Sequence, residues 1–334
     1  MDMRSRRSFI GGGFAIAAAL TPAARAATGP RMRVILDNDY SGDPDGLFEL
    51  AHHLASPSVE IPFVIGSHIH VNDFLDGSAN QADDAARKVA DICARMKLAR
   101  MPTVIAGRNQ APASGVRAPA GPAARAIVAE ALRGDAKWPL FYAAGAGLTD
   151  LAEALRLEPR IGKRLKLVWI GGMEHDDLLP GIAVRHDLEY NLTIDLAAAR
   201  TVFNDSDVEI WQVPRNVYRQ MIISDAELAD GLKPAGTLGQ YLLAQIARVK
   251  AAPGVNLGET YILGDSPLVT LTALQSSFEA DTSSSPYVVR PTPHLTEDGL
   301  YTPVAAGRPM RVYTAIDARL TFADMFAKLA AAGV

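Results

Sequence analysis

Short runs of β-branched and aliphatic residues alternate along this chain with longer stretches rich in Ala and Leu. The runs are "MRVILD", "EIPFVIGSH", "MPTVIAG", "WPLFYAAGA", "LKLVWIGGM" and "VEIWQVP". Near-continuous apolar runs of roughly four to eight residues read as strands buried on both faces, the habit of a parallel sheet. Between them "GLFELAHHLAS", "QADDAARKVADICARM", "GPAARAIVAEALRG", "LTDLAEALRLEPRIGKRL" and "DLAAARTVFND" repeat apolar residues at helical spacing. Strand-then-helix units in series predict an α/β fold: an open, mostly parallel β-sheet flanked by helices on both faces. Pro- and Gly-rich residues 107–123 read as a long surface loop, and 278–309 as a second irregular region. No linker divides the chain, so residues 31–334 read as a single domain.

Three of the expected strands end in polar clusters: "LDNDYSGDPD", "GSHIH" and "AAGAGLTD". Ligands of open parallel sheets bind beyond the carboxyl ends of the strands, so these clusters should meet in space. "AGAG" before Leu148 lacks the spacing of a phosphate-cradling glycine loop.

Composition narrows the setting. The chain has 334 residues, 49% hydrophobic, with a formal net charge of -4, enough to bury a sizeable core. No basic block interleaves with aromatics, which excludes a nucleic-acid footprint and points to a small-molecule partner. The N-terminus, "RSRRSFIGGGFAIAAALTPAARA", has a basic start, an apolar stretch from Phe9 to Leu20 and small residues at Ala24 and Ala26. That is the order of a secretory signal, with cleavage expected after Ala26. Arg6 and Arg7 resemble a twin-arginine export signal, and the apolar stretch is too short to span a bilayer comfortably. The mature protein is therefore expected to be periplasmic or secreted, without a membrane span; association into a homo-oligomer is left open. Cys93 is the only cysteine, so no internal disulfide can form, and its helical spacing with Val89 and Met96 reads as a buried, inert thiol.

The stretch "VILDNDYSGDPDGLFEL", residues 34–50, gathers Asp37, Asp39, Asp43 and Asp45 directly behind an apolar strand. One Asp would suffice to cap the helix that follows. Crowded carboxylates repel unless a cation is present, and a hard cation such as Ca²⁺ takes six to eight oxygen ligands. A metal-binding turn is the simplest account, with capping plus solvated charge as its alternative. The EF-hand pattern fails, because the bidentate Glu is missing and the loop follows a strand.

"ILDNDYSGDPDGLFELAHHLASPSVEI" resembles the N-terminal signature of the inosine-uridine-preferring nucleoside hydrolases, D-x-D-x-G-x-D-D. "GAGLTDLAEALRLEP", "WIGGM", "EYNLTIDLAAARTVF" and "LGDSPLV" resemble further segments of that family, in its order, from about residue 33 to 320. The resemblance implies hydrolysis of an N-glycosidic bond in a riboside with Ca²⁺ as cofactor. It implies that Asp39 ligates the metal and takes the proton of a metal-bound water, and that the Thr149 carbonyl and Asp265 complete the ligand set. Glu189 and Asn191 would hold ribose hydroxyls, and His68 falls near a sugar-pocket Asn of the family.

The match departs from the family at the acidic turn, which carries one or two extra residues. Aligned from the helix side, Asp45 takes the first position of the Asp pair and Gly46 replaces the second; aligned from the strand side, Asp43 and Asp45 take both. The favoured reading makes Asp45 a ligand, with Asp43 facing the sugar or the metal. Gly264 stands where many members have a His associated with leaving-group protonation, and Ala183 replaces an Asn while Arg185, His186 and Asp187 crowd the same loop. Two rivals follow: a riboside-binding protein without turnover, and an enzyme of the same scaffold acting on another glycoside.

Other polar residues have plainer expectations. Of His52 and His53 on the first helix, one should be buried and the other exposed. His70, Asn72 and Asp73 could line the mouth of the site, and "EHDDLLP" (174–180) reads as a solvated loop over the pocket. Trp138, Trp169 and Trp211 sit in strand-like runs and should join the core.

Overall fold

In the computed structural model, which describes residues 29–98, 100–113, 119–178, 187–275 and 284–332, the first strand sets the plan of the molecule. Strand β1 (Met32–Asn38) is buried along its whole length. Val34 and Leu36 join one core, and Ile35 between them joins the other. Alternate residues of a strand face opposite sides of a sheet, so the unbroken apolar run marks a strand with helices on both faces.

The remaining strands are β2 (Val59–Glu60), β3 (Phe63–Gly66), β4 (Thr103–Ala106), β5 (Leu140–Ala144), β6 (Leu165–Ile170), β7 (Glu209–Val213), β8 (Ile222–Ser224), β9 (Thr260–Ile262), β10 (Tyr287–Pro291), β11 (His294–Leu295), β12 (Tyr301–Thr302) and β13 (Pro309–Tyr313). The main sheet runs β10-β13-β7-β6-β5-β1-β3-β4, with β2 also paired to β1. It is parallel except for the β10/β13 pair at its edge. The fold class is thus the expected one.

The helices are α1 (Asp45–Leu54), α2 (Gln81–Arg95), α3 (Pro122–Ala131), α4 (Thr149–Leu157), α5 (Tyr190–Ile194), α6 (Leu196–Asn204), α7 (Arg215–Tyr218), α8 (Asp225–Leu232), α9 (Gly236–Lys250), α10 (Pro267–Thr270) and α11 (Ala318–Ala332). One core gathers α1, α2, α8, α9 and α11 against the sheet; the other gathers α3, α4 and α6. Among the described residues, no helix is long and apolar enough to cross a membrane. The expected export signal, residues 1–26, lies outside the described residues.

The direction of the chain reverses across β1. From β1 it moves outward through β3 to β4, then returns to lay β5 on the other flank of β1. Neighbouring loops at such a switch point leave in opposite directions and open a crevice at the strands' carboxyl ends. That crevice lies above Asn38 of β1 and Ala144 of β5.

Several local expectations are corrected. His52 and His53 are both buried: His52 bonds Asp324 on α11 (2.7 Å), and His53 meets Glu49 and Thr272 (2.8 Å). Helix α1 is covered by α10 and α11 as well as by the sheet, which periodicity within α1 cannot reveal. Trp138 is 39% exposed, because its strand begins only at Leu140, whereas Trp169 and Trp211 are core residues. Within the stretch read as irregular, β10 pairs with β13 and β11 with β12. Residues of β10 are half-buried or exposed, and Pro291 is accommodated on this edge strand, so the apolar signal of a central strand is missing.

Candidate functional site

The end of β1 at Asn38 separates the acids of the first turn, with Asp37 still in the strand and Asp39, Asp43 and Asp45 beyond it. Asp37 shares the face of Ile35, where Ser67 Oγ and Tyr142 OH both donate to its carboxylate. Burial pushes its pKa up to about 6 against the pull of those two donors. Asp39 follows beyond the strand end and is 5% exposed. The turn is closed by Gly42 N donating to the Asp39 carbonyl (2.6 Å). Helix α1 then begins with Asp45, whose Oδ1 accepts from Gly46 N (2.9 Å).

Asp265 arrives from a distant part of the sequence, just after β9. Its backbone N–H donates to Asp45 Oδ2 (3.2 Å), and its own Oδ2 accepts from Asn38 Nδ2 (2.9 Å). Asp43 accepts from Asp45 N (3.3 Å) and from Tyr261 OH (2.8 Å) on the adjoining β9. The structure therefore brings Asp39, Asp43, Asp45 and Asp265 into one group, in which Asp43 alone is half-buried.

All four carboxyls are pushed above the usual carboxylate range. For Asp39 the main cause is burial, followed by Asp265, Asp43, Asp73 and Asp37; for Asp45 it is burial, then Asp265, Asp43 and Asp39. Asp43 and Asp265 are raised by burial first. Like charges in a low-dielectric space hold protons unless a cation replaces them. The donor set is all oxygen, which suits a hard divalent cation such as Ca²⁺. Among the described residues, however, no three His, Cys, Asp or Glu side chains converge as a metal site. Several carboxylate oxygens are instead turned toward N–H and O–H donors: Asp45 toward Gly46 and Asp265, Asp43 toward Tyr261, Asp265 toward Asn38.

The other two strand ends close on the same crevice. His68, following β3, lies with Nε2 3.1 Å from Thr149 Oγ1, and its Nδ1 is 3.0 Å from the Ile69 carbonyl. Thr149 opens α4 and donates to Asp195 Oδ2 (2.9 Å). Burial lowers the His68 pKa, opposed in part by Asp195.

Glu189 is fully buried and caps α5. Its Oε2 accepts from the backbone N–H groups of Gly172 (2.8 Å) and Leu192 (2.9 Å), its Oε1 from Asn191 N (3.1 Å) and Tyr218 OH (3.0 Å). Asn191 spends its amide N–H groups on the carbonyls of Gly145 (3.0 Å) and Ile170 (2.8 Å), which ties α5 to the ends of β5 and β6.

The mouth is built from the loop after β3 and from helix α5. Tyr190 OH donates to Asp73 Oδ2 (2.7 Å), and His70 meets Tyr190 edge-on at 4.8 Å and Thr193 Oγ1 at 3.0 Å. Asp73 is thus near the acidic group, as its effect on Asp39 shows. The expectation of a solvated loop at 174–180 is corrected for its first residues: Glu174 and His175 are buried, and Glu174 pairs with Arg215 (2.6 and 2.8 Å). Ala183, Arg185 and His186 lie outside the described residues.

Sequence reasoning passed over Asn38, Asp195, Tyr218 and Tyr261. Asn38 sits between Asp37 and Asp39 and could have been singled out as the one amide among the strand-end acids. The tyrosines carry no local signal, since only the fold brings α7 and β9 to the turn. A Cβ on Gly264 would stand 3.2 Å from Asp45 Oδ2 and 3.2 Å from the Tyr218 ring, so the absent side chain at 264 matches a space already filled.

Residues 34–319 match the family described as inosine-uridine preferring nucleoside hydrolase. The enzyme of that description from Crithidia fasciculata is 46% identical over 68 residues, 20% of this chain; the matched stretch spans only 19% of that relative's length. A plant nucleoside hydrolase structure superposes with a TM-score of 0.65 at 18% identity, covering 90% of this chain and 100% of the other. A purine-preferring ribonucleoside hydrolase from Gardnerella vaginalis gives 0.65 at 16% identity, covering 90% and 99%. The inosine-uridine preferring nucleoside hydrolase of Bacillus anthracis gives 0.59 at 20% identity, with the same coverage. At these identities the structures speak for the fold, while the family match runs from the first strand of the sheet into its last helix. The chain belongs to the inosine-uridine preferring nucleoside hydrolase family.

Proposed function

We propose that this protein hydrolyses the N-glycosidic bond of ribonucleosides or related ribosides, with Ca²⁺ held by Asp39, Asp45, Asp43, Asp265 and the Thr149 carbonyl. The observation that carries this reading is the group of four carboxylates at the switch point between β1 and β5, with Asp39, Asp45 and Asp265 buried and Asp43 half-buried. A cation bound there would neutralise the group and polarise the attacking water. Asp39, at the end of the strand, is the base that takes the proton of that water. Breaking the bond leaves positive charge on the sugar ring, and a pocket lined with carboxylate and carbonyl oxygens suits that charge. Asn191 holds the sugar with its remaining acceptor, and His68 closes the far wall. Glu189 acts in the same pocket by fixing the turn at Gly172 and the hydroxyl of Tyr218, because its own acceptor positions are filled. No side chain at Gly264 delivers a proton to the leaving aglycone. We also propose that the N-terminal segment exports the protein to the periplasm or medium.

A panel of ribonucleosides and O-ribosides, assayed for free base and for reducing sugar with Ca²⁺ or with EDTA, tests the assignment. Base release that EDTA abolishes and Asp39→Asn lowers by about 10²–10⁴-fold is the expected result. Reducing sugar from O-ribosides alone would place the enzyme on another glycoside. Tight binding of ribosides without product would make the protein a binder.

A further inference from the structure

We infer that Asn38 is a positioning residue that locks Asp39 and Asp265 in register, and that Gly46 and Gly145 are glycines to make room for its amide. The inference rests on the reading of this group as the cation and base site. Asn38 is 1% exposed and is the last residue of β1. Its Nδ2 donates to Asp265 Oδ2 (2.9 Å), and its Oδ1 accepts from the backbone N–H of Asp39 (2.9 Å). One amide therefore joins two carboxylate residues that lie 226 positions apart in the sequence, from Asp39 to Asp265. Only an amide supplies both ends of this link. A carboxylate at 38 would accept from Asp39 N–H but repel Asp265, and an aliphatic side chain would offer neither contact.

The space around the amide is the second, independent observation. A Cβ on Gly46 would stand 2.9 Å from Asn38 Nδ2 and 3.1 Å from its Cγ. A Cβ on Gly145 would stand 2.4 Å from Nδ2 and 2.6 Å from both Cγ and Oδ1. Neither glycine has a positive φ, so the backbone itself does not require glycine at these positions. The requirement comes from the Asn38 side chain, which is held between the start of α1 and the end of β5. Gly145 also accepts Asn191 Nδ2 on its carbonyl, so the same close approach connects the sugar wall to the carboxylate group.

Residues that orient ligands through a hydrogen bond typically change metal affinity or activity by about 10–100-fold when removed. The test is a thermal-shift titration with Ca²⁺ and steady-state kinetics on inosine and uridine, for wild type, Asn38→Ala, Asn38→Asp, Gly46→Ala and the Asn38→Ala/Gly46→Ala double variant. Asn38→Ala and Asn38→Asp should each raise the Ca²⁺ midpoint by about 10–100-fold and lower kcat more than they raise KM. Gly46→Ala should act in the same direction by displacing the amide. In the Asn38→Ala background it should add less than about twofold, because the clash is gone and the two changes are not additive. Melting in EDTA reports loss of folding separately. The inference is overturned if the Ca²⁺ midpoint of Asn38→Ala stays within about twofold of wild type, or if Gly46→Ala costs as much with Asn38 as without it. Wild type that releases no base but shows these Ca²⁺ shifts would overturn the hydrolase reading and keep the inference. Wild type without a Ca²⁺ response overturns the inference.

Discussion

Replacing Glu189 by Gln removes an acceptor from the pocket wall while keeping its shape. The carboxylate receives four donors, two on each oxygen: Gly172 and Leu192 N–H on Oε2, Asn191 N–H and Tyr218 OH on Oε1. A carboxamide offers one oxygen and one NH₂, and the NH₂ cannot accept. With its NH₂ toward Gly172 and Leu192, two backbone N–H groups are orphaned. With the NH₂ toward Tyr218, the phenol can rotate and accept, which leaves only Asn191 N–H without an acceptor. The second arrangement is the less costly, and one unsatisfied donor costs about 1–3 kcal/mol. Burial raises the Glu189 pKa in spite of its four donors, so removing the charge recovers part of that cost and sets the expectation in the lower half of the range. At roughly 2 °C per kcal/mol for a chain of this size, the melting temperature should fall by about 2–4 °C. Circular dichroism melts in EDTA, where no cation contributes, measure this directly. A melting temperature that is unchanged or higher would refute the view that Glu189 is held by, and holds, its four donors.

Four further outcomes are expected. Asp37 and Asp150 have pKa values raised to about 6 and about 7, chiefly by burial, so the folded chain keeps protons that the unfolded chain has released. Stability in EDTA should therefore fall as pH rises from about 4 to about 7. The group at Asp39, Asp43, Asp45 and Asp265 is raised in the same direction, so the gain in melting temperature on adding Ca²⁺ should be larger at pH 7.5 than at pH 5; an equal gain at both would count against a carboxylate-held cation. Cys93 is buried, and its thiol is pushed up to about 11, so a disulfide-exchange reagent at neutral pH should leave native protein untouched and titrate one thiol after denaturation. Export with cleavage after Ala26 predicts Ala27 as the first residue of protein recovered from the periplasm or medium, which N-terminal sequencing reads.

Much of the architecture was legible in the order of residues because it depends on local period. Apolar runs such as "VIL" and "LVWI" mark central parallel strands, and the Ala/Leu stretches between them mark the helices that cover both faces. The acidic turn was legible for the same reason: four Asp residues within nine positions have an electrostatic meaning before any fold is known. Edge strand β10 was not legible, since a half-covered strand with Pro at its end lacks the apolar run. The burial of both His52 and His53 was not legible either, because α10 and α11, which cover them, come more than 200 residues later.

Sequence alone determined that the chain builds a doubly covered sheet and places acids at the end of its first strand. Tertiary structure decided which acids act together. Asp37, still within β1, is taken up by Ser67 and Tyr142, while the chain turns after Asn38 and the return of β5 beside β1 opens the crevice that receives Asp265 next to Asp45. It also decided why Gly46 and Gly145 are glycines, since the atom each would clash with belongs to Asn38. Neighbours along a chain fix the local period. Distances between distant segments arise only when the sheet closes, and burial, charge and hydrogen bonding at the site all depend on those distances.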